Sequence, residues 1–296
     1  MVLAVTGITG HTGGYFLREL IEHRFEGTLR CLVRESSDTR ALDASGLRVE
    51  KVVGDIGEPA DLRRLVEGAD RVLHIAGIRD TLPLLAACGE AGVTGHIVLV
   101  HTSGIYSRHR MASAEYKDIE AKMQPYLKSG LNVTILRPTM IFGDMCDRNI
   151  HRFIRMVDKF PVMPQIDGGH AYIQPVNARD LGRAYYQCVM RERLPEPDYI
   201  CSGSRRLSVR ELCSLIGIYL GKKTRFVSVP MAVGAAGARG LKLLSGGRID
   251  YVEKVLRLGE DRSFSHEQAA RDFGFAPEPF ETGLRREVEE YLHGKA

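Results

Sequence analysis

Eight residues near the start of the chain, Thr6-Gly7-Ile8-Thr9-Gly10-His11-Thr12-Gly13, have the composition of an anion-binding turn. They follow an apolar run at residues 2–6 and open an amphipathic run carrying Phe16, Leu17, Leu20 and Ile21 on one face. Where a strand passes into a helix, the first N–H groups of the helix are unpaired and carry partial positive charge. A diphosphate fits such a place. Gly7 permits the tight turn, Gly10 lets the backbone approach phosphate, and Gly13 lets the helix pack closely. Thr9, His11 and Thr12 supply backbone between them. The spacing is G-x-x-G-x-x-G, not the standard G-x-G-x-x-G. Its position between strand and helix is what points to a dinucleotide.

Two further strand ends extend this site. Cys31-Leu32-Val33 ends on Arg34. An acidic residue there would accept from ribose hydroxyls, whereas a guanidinium suits a 2′-phosphate. Arg34 therefore favours NADP(H) over NAD(H), although Glu35 follows it. Ser36, Ser37 and Arg40 are further phosphate candidates. The third strand ends Val53-Gly54-Asp55-Ile56. Asp55 suits an adenine amino group, with Ile56 packing on the ring. Asp55 is equally suited to capping the helix that starts near Pro59.

Asp147 and His151 are four apart, the spacing of half a metal site. No third ligand accompanies them, and a capped helix start involving Asp147 and Asn149 explains the pattern better. No metal is expected. No G-x-S-x-G or H-E-x-x-H occurs, which leaves hydrolase and zincin readings without support. His170, in a glycine loop before Tyr172, reads as a surface histidine.

These groups need a scaffold. Short Val/Ile/Leu runs at residues 2–6, 29–33, 49–53, 72–75, 97–100 and 133–136 read as strands buried on both faces. Amphipathic runs lie between them. This alternation predicts an α/β fold, a Rossmann-type doubly wound parallel sheet. After about residue 143 the pattern changes. A short strand is expected near 172–176, and helices at 178–190, 209–220, 250–258 and 280–292. The expected division is an NAD(P)-binding domain over 1–143, with segments returning near 172–190, and a smaller, mostly helical substrate lobe over 144–296. Residues 231–247, rich in Met, Ala, Val, Leu and Gly, read as a loosely packed helix with a glycine turn. A lid, or a patch for an apolar ligand or membrane surface, is the alternative.

The chain has 296 residues, 41 basic and 37 acidic, net +4, with no basic arm for nucleic acid. No run approaches the roughly 20 apolar residues of a membrane span. The N-terminal apolar run is too short for a signal peptide. Six cysteines without a C-x-x-C pair suit reduced, buried thiols and a cytoplasmic location. The expected partner is a small-molecule substrate. A homodimer is compatible with the composition.

The chain resembles the extended or atypical short-chain dehydrogenases, the NAD-dependent epimerase/dehydratase group. The T-G-x-x-G-x-x-G loop carries the likeness, and other segments follow in the family's order. Gly54-Asp55-Ile56 is similar to its adenine-contacting motif. His74-Ile75-Ala76-Gly77 is similar to the fourth-strand segment lining the cofactor. His101-Thr102-Ser103 resembles the fifth-strand end that supplies a catalytic Ser or Thr. Residues 136–143, with Pro138, Thr139, Met140 and Ile141, resemble the strand and loop beside the nicotinamide. Residues 175–181 and 273–277 resemble later family segments. The resemblance implies that Ser103 polarises a substrate oxygen. It also implies that Arg148, Asn149 and His151 lie at the substrate cleft.

One segment departs from the family. A Tyr-x-x-x-Lys pair is expected on the helix after the fifth strand, where the lysine makes the tyrosine a better acid or base. Here the helix reads Ala112-Ser113-Ala114-Glu115-Tyr116-Lys117-Asp118-Ile119-Glu120. Counting from Tyr116, the fourth residue on is Glu120. If Glu120 matches a family acid one turn later, Tyr116 takes the lysine position and Ala112 the tyrosine position. A phenol needs a nearby cation to ionise near neutrality. Lys117 follows Tyr116 directly but points about 100° around the helix. Tyr116, with Lys117 beside it, is the proton-donor candidate, and His74, taken as a substrate contact, or Tyr106 is the substitute. The expected function is an NADP(H)-dependent oxidoreductase acting on a carbonyl or alcohol. The alternatives are a nucleotide-sugar epimerase or dehydratase holding NAD, and a non-catalytic NADP-binding sensor or assembly protein.

Overall fold

The computed structural model describes residues 1–147, 149–248 and 250–294, with residues 110–112 described by backbone alone. The six apolar runs form β1 (Val2–Thr6), β2 (Thr28–Val33), β3 (Arg48–Val53), β4 (Arg71–His74), β5 (Ile97–Val100) and β6 (Val133–Pro138). The second half adds β7 (Ile141–Phe142), β8 (Val162–Ile166), β9 (Tyr172–Ile173), β10 (Val176–Asn177), β11 (Asp198–Cys201), β12 (Leu207–Ser208) and β13 (Arg225–Val229). The central sheet is parallel and runs β11-β6-β5-β4-β1-β2-β3. Strand order reverses beside β1, which puts the glycine loop at a switch point.

The first-half helices are α1 (His11–Glu22), α2 (Arg40–Asp43), α3 (Pro59–Val66), α4 (Thr81–Glu90) and α5 (Arg110–Lys128). They are followed by α6 (Ile150–Lys159), α7 (Ala178–Val189), α8 (Val209–Tyr219), α9 (Met231–Leu244), α10 (Val252–Leu256), α11 (Glu267–Phe273) and α12 (Phe280–His293). Both sheet faces are covered, as the doubly wound reading requires. Phe16, Leu20, Leu181, Tyr185 and Phe273 cover one face from α1, α7 and α11. Leu62, Leu65, Leu84, Leu85 and Met123 cover the other from α3, α4 and α5. Each such side chain contributes roughly 1.5–3 kcal/mol by leaving water. Gly182 is what lets α7 lie flat on α1. A Cβ there would stand 2.7–2.9 Å from backbone atoms of Tyr15 and Phe16.

A third core joins Phe142, Ile154, Leu212, Ile216, Phe280 and Leu284 in the smaller lobe. The division of the chain differs from the expectation in its extent. The return to the large domain runs past residue 190 to β11 and resumes at α11, since Tyr199, Cys201, Phe273 and Phe275 belong to the large core. The run expected as one strand near 172–176 is two short ones, β9 and β10. The helix expected at 250–258 is α10 followed by a single 3-10 turn, Arg257–Gly259. Ile21, expected on the buried face of α1, is 40% exposed. No helix among the described residues is long and apolar enough to cross a membrane.

Candidate dinucleotide site and interlobe cleft

The three glycines of the first turn are held to their positions by different causes. Gly7 has φ +77°, and a Cβ there would stand 2.8 Å from the backbone nitrogen of Ala76. Gly13 faces the carbonyl oxygens of Gly7 and Ile8, at 2.2 and 2.7 Å from where its Cβ would be. Both are required by the fold. Gly10 has an ordinary φ of −80°, and its Cβ position meets only the Gly7 carbonyl oxygen, at 3.2 Å. Its open side is room for a ligand. Gly10 is also the N-cap of α1, without a side-chain cap and without an acid in the first turn. The N–H groups there are free for an anion, so the turn fits a pyrophosphate.

Side chains around the turn are tied down. Thr12 is buried and accepts from the Tyr185 hydroxyl at 3.4 Å. The His11 ring meets Asp144 at 2.9 Å, and Tyr15 donates to the same carboxylate at 2.9 Å. Thr9 is exposed at the tip. His11 and Thr12 therefore offer backbone, not side chain, to a ligand.

At the end of β2, Arg34 is exposed, and its guanidinium makes no hydrogen bond or ion pair among the described residues. It is free for a phosphate. Arg40 is not, because Asp38 holds it two-pronged at 2.6–3.1 Å. Asp55 accepts from the Gly57 N–H at 2.7 Å, and Glu58 is the N-cap of α3. Asp55 thus shapes the turn before α3 instead of capping the helix. Ile56 is half-buried beside it.

At the end of β4, Ala76 is exposed and Gly77 has φ +129°. His74 does not face a substrate. It is fully buried, with Nε2 2.8 Å from the Gly77 carbonyl oxygen and Nδ1 2.7 Å from the Thr6 hydroxyl. Nε2–H donates to the carbonyl and Nδ1 accepts from the hydroxyl. Burial holds its pKa down at about 4, so it stays neutral and structural. His74 is corrected from substrate contact to internal brace.

The ends of β5 and β6 open on a cleft of about 290 Å³. Thr102, Ser103 and Tyr106 line one side, and Thr139, Met140, Ile141 and Asn149 another. Thr102 accepts from the Gly104 N–H at 3.0 Å, which starts the 3-10 turn carrying Ser103. Ser103 is half-buried, and no group among the described residues occupies its hydroxyl. The Thr139 hydroxyl is spent on the Gln174 carbonyl, so Thr139 offers backbone. Pro138 is buried at the end of β6. Asn149 donates to the Ile141 carbonyl at 2.9 Å. Asp147 accepts N–H bonds from Asn149 and His151, which is the expected capped helix start. His151 is half-buried and stands off the cleft lining. Arg148 lies outside the described residues. His170 is exposed, as expected of a surface histidine.

The proton-donor candidates are less favourably placed. The Tyr116 ring lies against Gly104, 3.4 Å from where a Cβ on that glycine would be, and is not part of the cleft lining. Lys117 is exposed and not part of that lining, as its direction on α5 predicts. Arg79 grips Glu115, the residue before Tyr116, at 2.7 and 2.8 Å. Glu120 is not a free acid beside Tyr116. It accepts from both ends of the Arg137 guanidinium at 2.6 and 2.9 Å and from His101 at 2.8 Å. Burial works against its charge, but the bonds from His101 and Arg137 prevail and hold it at about 2.

The far wall comes from the smaller lobe and was not anticipated. Arg257 and Arg262 line the cleft, each with a buried Nε lacking a partner. Burial, then the charge of Arg257, bring Arg262 down to about 10. Glu260 anchors this wall by accepting from Ser107 at 2.8 Å and from the Arg108 N–H at 2.6 Å. Two arginines in no motif, far along the chain from the glycine loop, give a sequence reader nothing to connect. No group of metal ligands occurs among the described residues.

Fold and cradle together define a nicotinamide-dinucleotide-binding α/β protein. The chain belongs to the NAD(P)H-binding family, which it matches over residues 7–154, half its length. Among curated proteins it is 30% identical over 178 residues to sterol demethylase protein B of Methylococcus capsulatus, covering 48% of this chain and 52% of that one. It is 27% identical over 173 residues to ceramide reductase of Caulobacter vibrioides, covering 55% and 53%. It is 22% identical over 242 residues to a photosystem II assembly factor of Cyanidium caldarium, covering 78% and 75%. The chain spans about half the length of the first two. Its fold matches a nucleoside-diphosphate-sugar epimerase from Pseudomonas aeruginosa at TM-score 0.75, with 21% identity and 99% and 98% of the chains covered. It matches dTDP-glucose 4,6-dehydratase from Streptomyces venezuelae, solved with NAD, at 0.73, with 22% identity and 100% and 98% covered. The structural neighbours are thus of the NAD-dependent epimerase/dehydratase superfamily, and a nicotinamide dinucleotide is the cofactor.

Proposed function

We propose that the chain is an NADP(H)-dependent oxidoreductase acting on a carbonyl or alcohol in the cleft between core and smaller lobe. The observation that carries this reading is the cleft itself. It opens off the carboxyl ends of β5 and β6, in the same sheet whose β1 ends in the glycine cradle. The nicotinamide, when bound, supplies or accepts hydride. Gly7, Gly10 and Gly13, with the backbone of Thr9, His11 and Thr12, hold the pyrophosphate. Arg34 favours a 2′-phosphate, Asp55 and Ile56 flank the adenine, and Ala76, Gly77 and residues 138–141 border the remainder. Ser103 hydrogen-bonds the substrate oxygen and stabilises charge that develops there. Tyr116 donates the proton as a neutral phenol if the turn at Gly104 shifts to admit it. Arg257 and Arg262 suit a substrate with an anionic group. The names of two curated relatives, sterol and ceramide, support including lipid ketones and alcohols in the substrate range. A cytoplasmic location accords with six unpaired cysteines, five of them buried.

The test is NADPH and NADH titration, followed by turnover on a carbonyl panel that includes a steroid ketone and a long-chain ketone. Turnover that falls about 10²–10³-fold in Ser103→Ala supports the assignment. Cofactor that co-purifies as NAD and is regenerated each cycle points to epimerase chemistry instead. A second reading, a non-catalytic NADP-binding protein, draws on Lys117 facing solvent and Tyr116 lying behind Gly104. Tight NADPH binding without turnover on the whole panel would establish it.

A further inference from the structure

The last turn of α9 stands clear of the protein. Leu241, Lys242, Leu243 and Leu244 are all exposed, and Leu243 and Leu244 are 81% and 90% accessible. Only Ala235 and Ala238 of the helix are buried. The helix ends in Ser245-Gly246-Gly247, with Gly246 and Gly247 at positive φ. Tyr251, just beyond, is 46% exposed under Lys254, whose Nζ lies 4.8 Å from the ring centroid. Four consecutive exposed residues, three of them leucine, cannot be explained as one buried stripe of an amphipathic helix.

The surrounding charge says what would cover them. Residues 239–248 contain Arg239, Lys242 and Arg248 and no acidic residue. Arg239 is one turn before Leu243, and Arg248 closes the glycine turn through its N–H to the Ser245 carbonyl at 3.2 Å. Lys242 is paired with Asp250 at 2.7 Å, while the Arg239 and Arg248 guanidinium groups make no ion pair among the described residues. An apolar tip flanked by two unpaired cations, Arg239 and Arg248, matches the boundary of a bilayer with anionic headgroups. A symmetric pair of these tips would set Arg239 and Arg248 against their own copies, which argues against a second copy as the occupant.

We propose that the end of α9 docks on an anionic lipid surface, with Leu241, Leu243 and Leu244 in the acyl boundary and Arg239 and Arg248 on headgroup phosphates. α10 packs on α9 and leads directly into Arg257, in the cleft wall. A docked chain therefore holds its cleft one short helix from the bilayer, a position suited to a ligand that partitions from lipid. Attachment is peripheral, since no described helix can span.

Full-length protein is sedimented with vesicles of phosphatidylcholine alone and with vesicles that also contain phosphatidylglycerol. Binding is expected to the anionic vesicles and to weaken as salt rises. Leu243→Asp with Leu244→Asp should lower the bound fraction by about tenfold or more. Arg239→Gln with Arg248→Gln should lower it severalfold on anionic vesicles only. All four side chains are exposed, so NADPH affinity and far-UV circular dichroism should be unchanged and serve as the folding control. Wild-type protein that stays in solution with anionic vesicles overturns the proposal, as does binding insensitive to the leucine pair. Dissociation of a dimer by the leucine variant, without effect on vesicle binding, would assign the tip to a second copy and overturn it equally.

Discussion

Glu120 on α5 and Arg137 at the end of β6 form a two-pronged ion pair, with N–O distances of 2.6 and 2.9 Å. The third guanidinium nitrogen donates to Asp198 of β11 at 2.6 Å. One buried cation thus ties α5 and the outermost strand to β6, just below the cleft. Glu120 faces the sheet, and Tyr116 lies one turn earlier, against Gly104.

Removing one partner of a buried pair leaves the other uncompensated. Glu120→Gln is expected to cost about 3 kcal/mol at pH 7, measured by urea unfolding. The carboxyl falls from its ordinary 4.5 to about 2 in the folded chain, so its contribution is complete above pH 4.5 and lost as pH falls toward 2. The gap between wild type and variant should close over that window. A gap that persists at pH 2 would mean the charge is not what stabilises.

The three glycines predict a split between folding and binding. Gly13→Ala drives a methyl into two carbonyl oxygens and should unfold the chain or lower its melting temperature sharply. Gly10→Ala should change stability by less than about 1 kcal/mol, since its backbone is ordinary and its Cβ would meet only the Gly7 carbonyl oxygen, at 3.2 Å. It should nonetheless weaken NADPH by about tenfold or more, because the methyl occupies the ligand's approach. Paired thermal melts and fluorescence titrations decide. Full affinity in Gly10→Ala would place the pyrophosphate elsewhere.

Arg34 should govern cofactor choice. Its guanidinium is free, so Arg34→Ala removes little from the fold. NADPH affinity is expected to fall about tenfold while NADH affinity holds, in keeping with one charge-assisted contact to the 2′-phosphate. Equal loss for both cofactors would leave Arg34 without a role in that choice.

Much of this was legible in the sequence, and the omissions have physical causes. Strands buried on both faces announce themselves as apolar runs, which is why β1, β2, β4, β5 and β6 agree with the sequence to within two residues; residues 49–53, expected to be buried in the same way, form the edge strand β3, where only Val52 is buried. β11 has only Asp198-Tyr199-Ile200-Cys201, begins with a charge and follows Pro195-Glu196-Pro197, so its local pattern is that of a loop. It is a strand because β6 offers an edge and Arg137 offers a partner to Asp198. His74 misled for the opposite reason. Its neighbour Ala76 lies against Gly7 of the glycine turn, yet the His74 ring turns into the core between Thr6 and Gly77. Arg257 and Arg262 were invisible because their partner is a cleft, not a spacing.

Ser103 and Tyr116 should separate in a kinetic comparison. Ser103 lines the cleft, so Ser103→Ala should lower kcat strongly for any carbonyl substrate. Tyr116→Phe tests whether the phenol reaches the substrate past Gly104. A fall of about 10²-fold or more is expected if it donates the proton. Full activity in Tyr116→Phe would remove it from the mechanism and turn attention to Tyr106, whose ring borders the same cleft.

Glu287 offers a pH test at the other side of the core. It is fully buried on α12, accepts the Gly143 N–H at 3.1 Å, and lies against Asp147. Burial and the neighbouring carboxylates, Asp147 foremost, push its pKa up to about 11. Unfolded, the same group titrates near its ordinary 4.5, so the folded chain holds a proton that the unfolded chain releases. Stability is therefore complete below pH 4.5 and declines as pH rises toward 11. Glu287→Gln keeps the shape and a donor for Asp147 without holding a titratable proton. The variant should equal wild type near pH 4 and become progressively more stable than it from pH 6 to 9, by denaturant midpoint. A variant less stable than wild type at pH 8 would mean that Glu287 is ionised and paired in the folded chain.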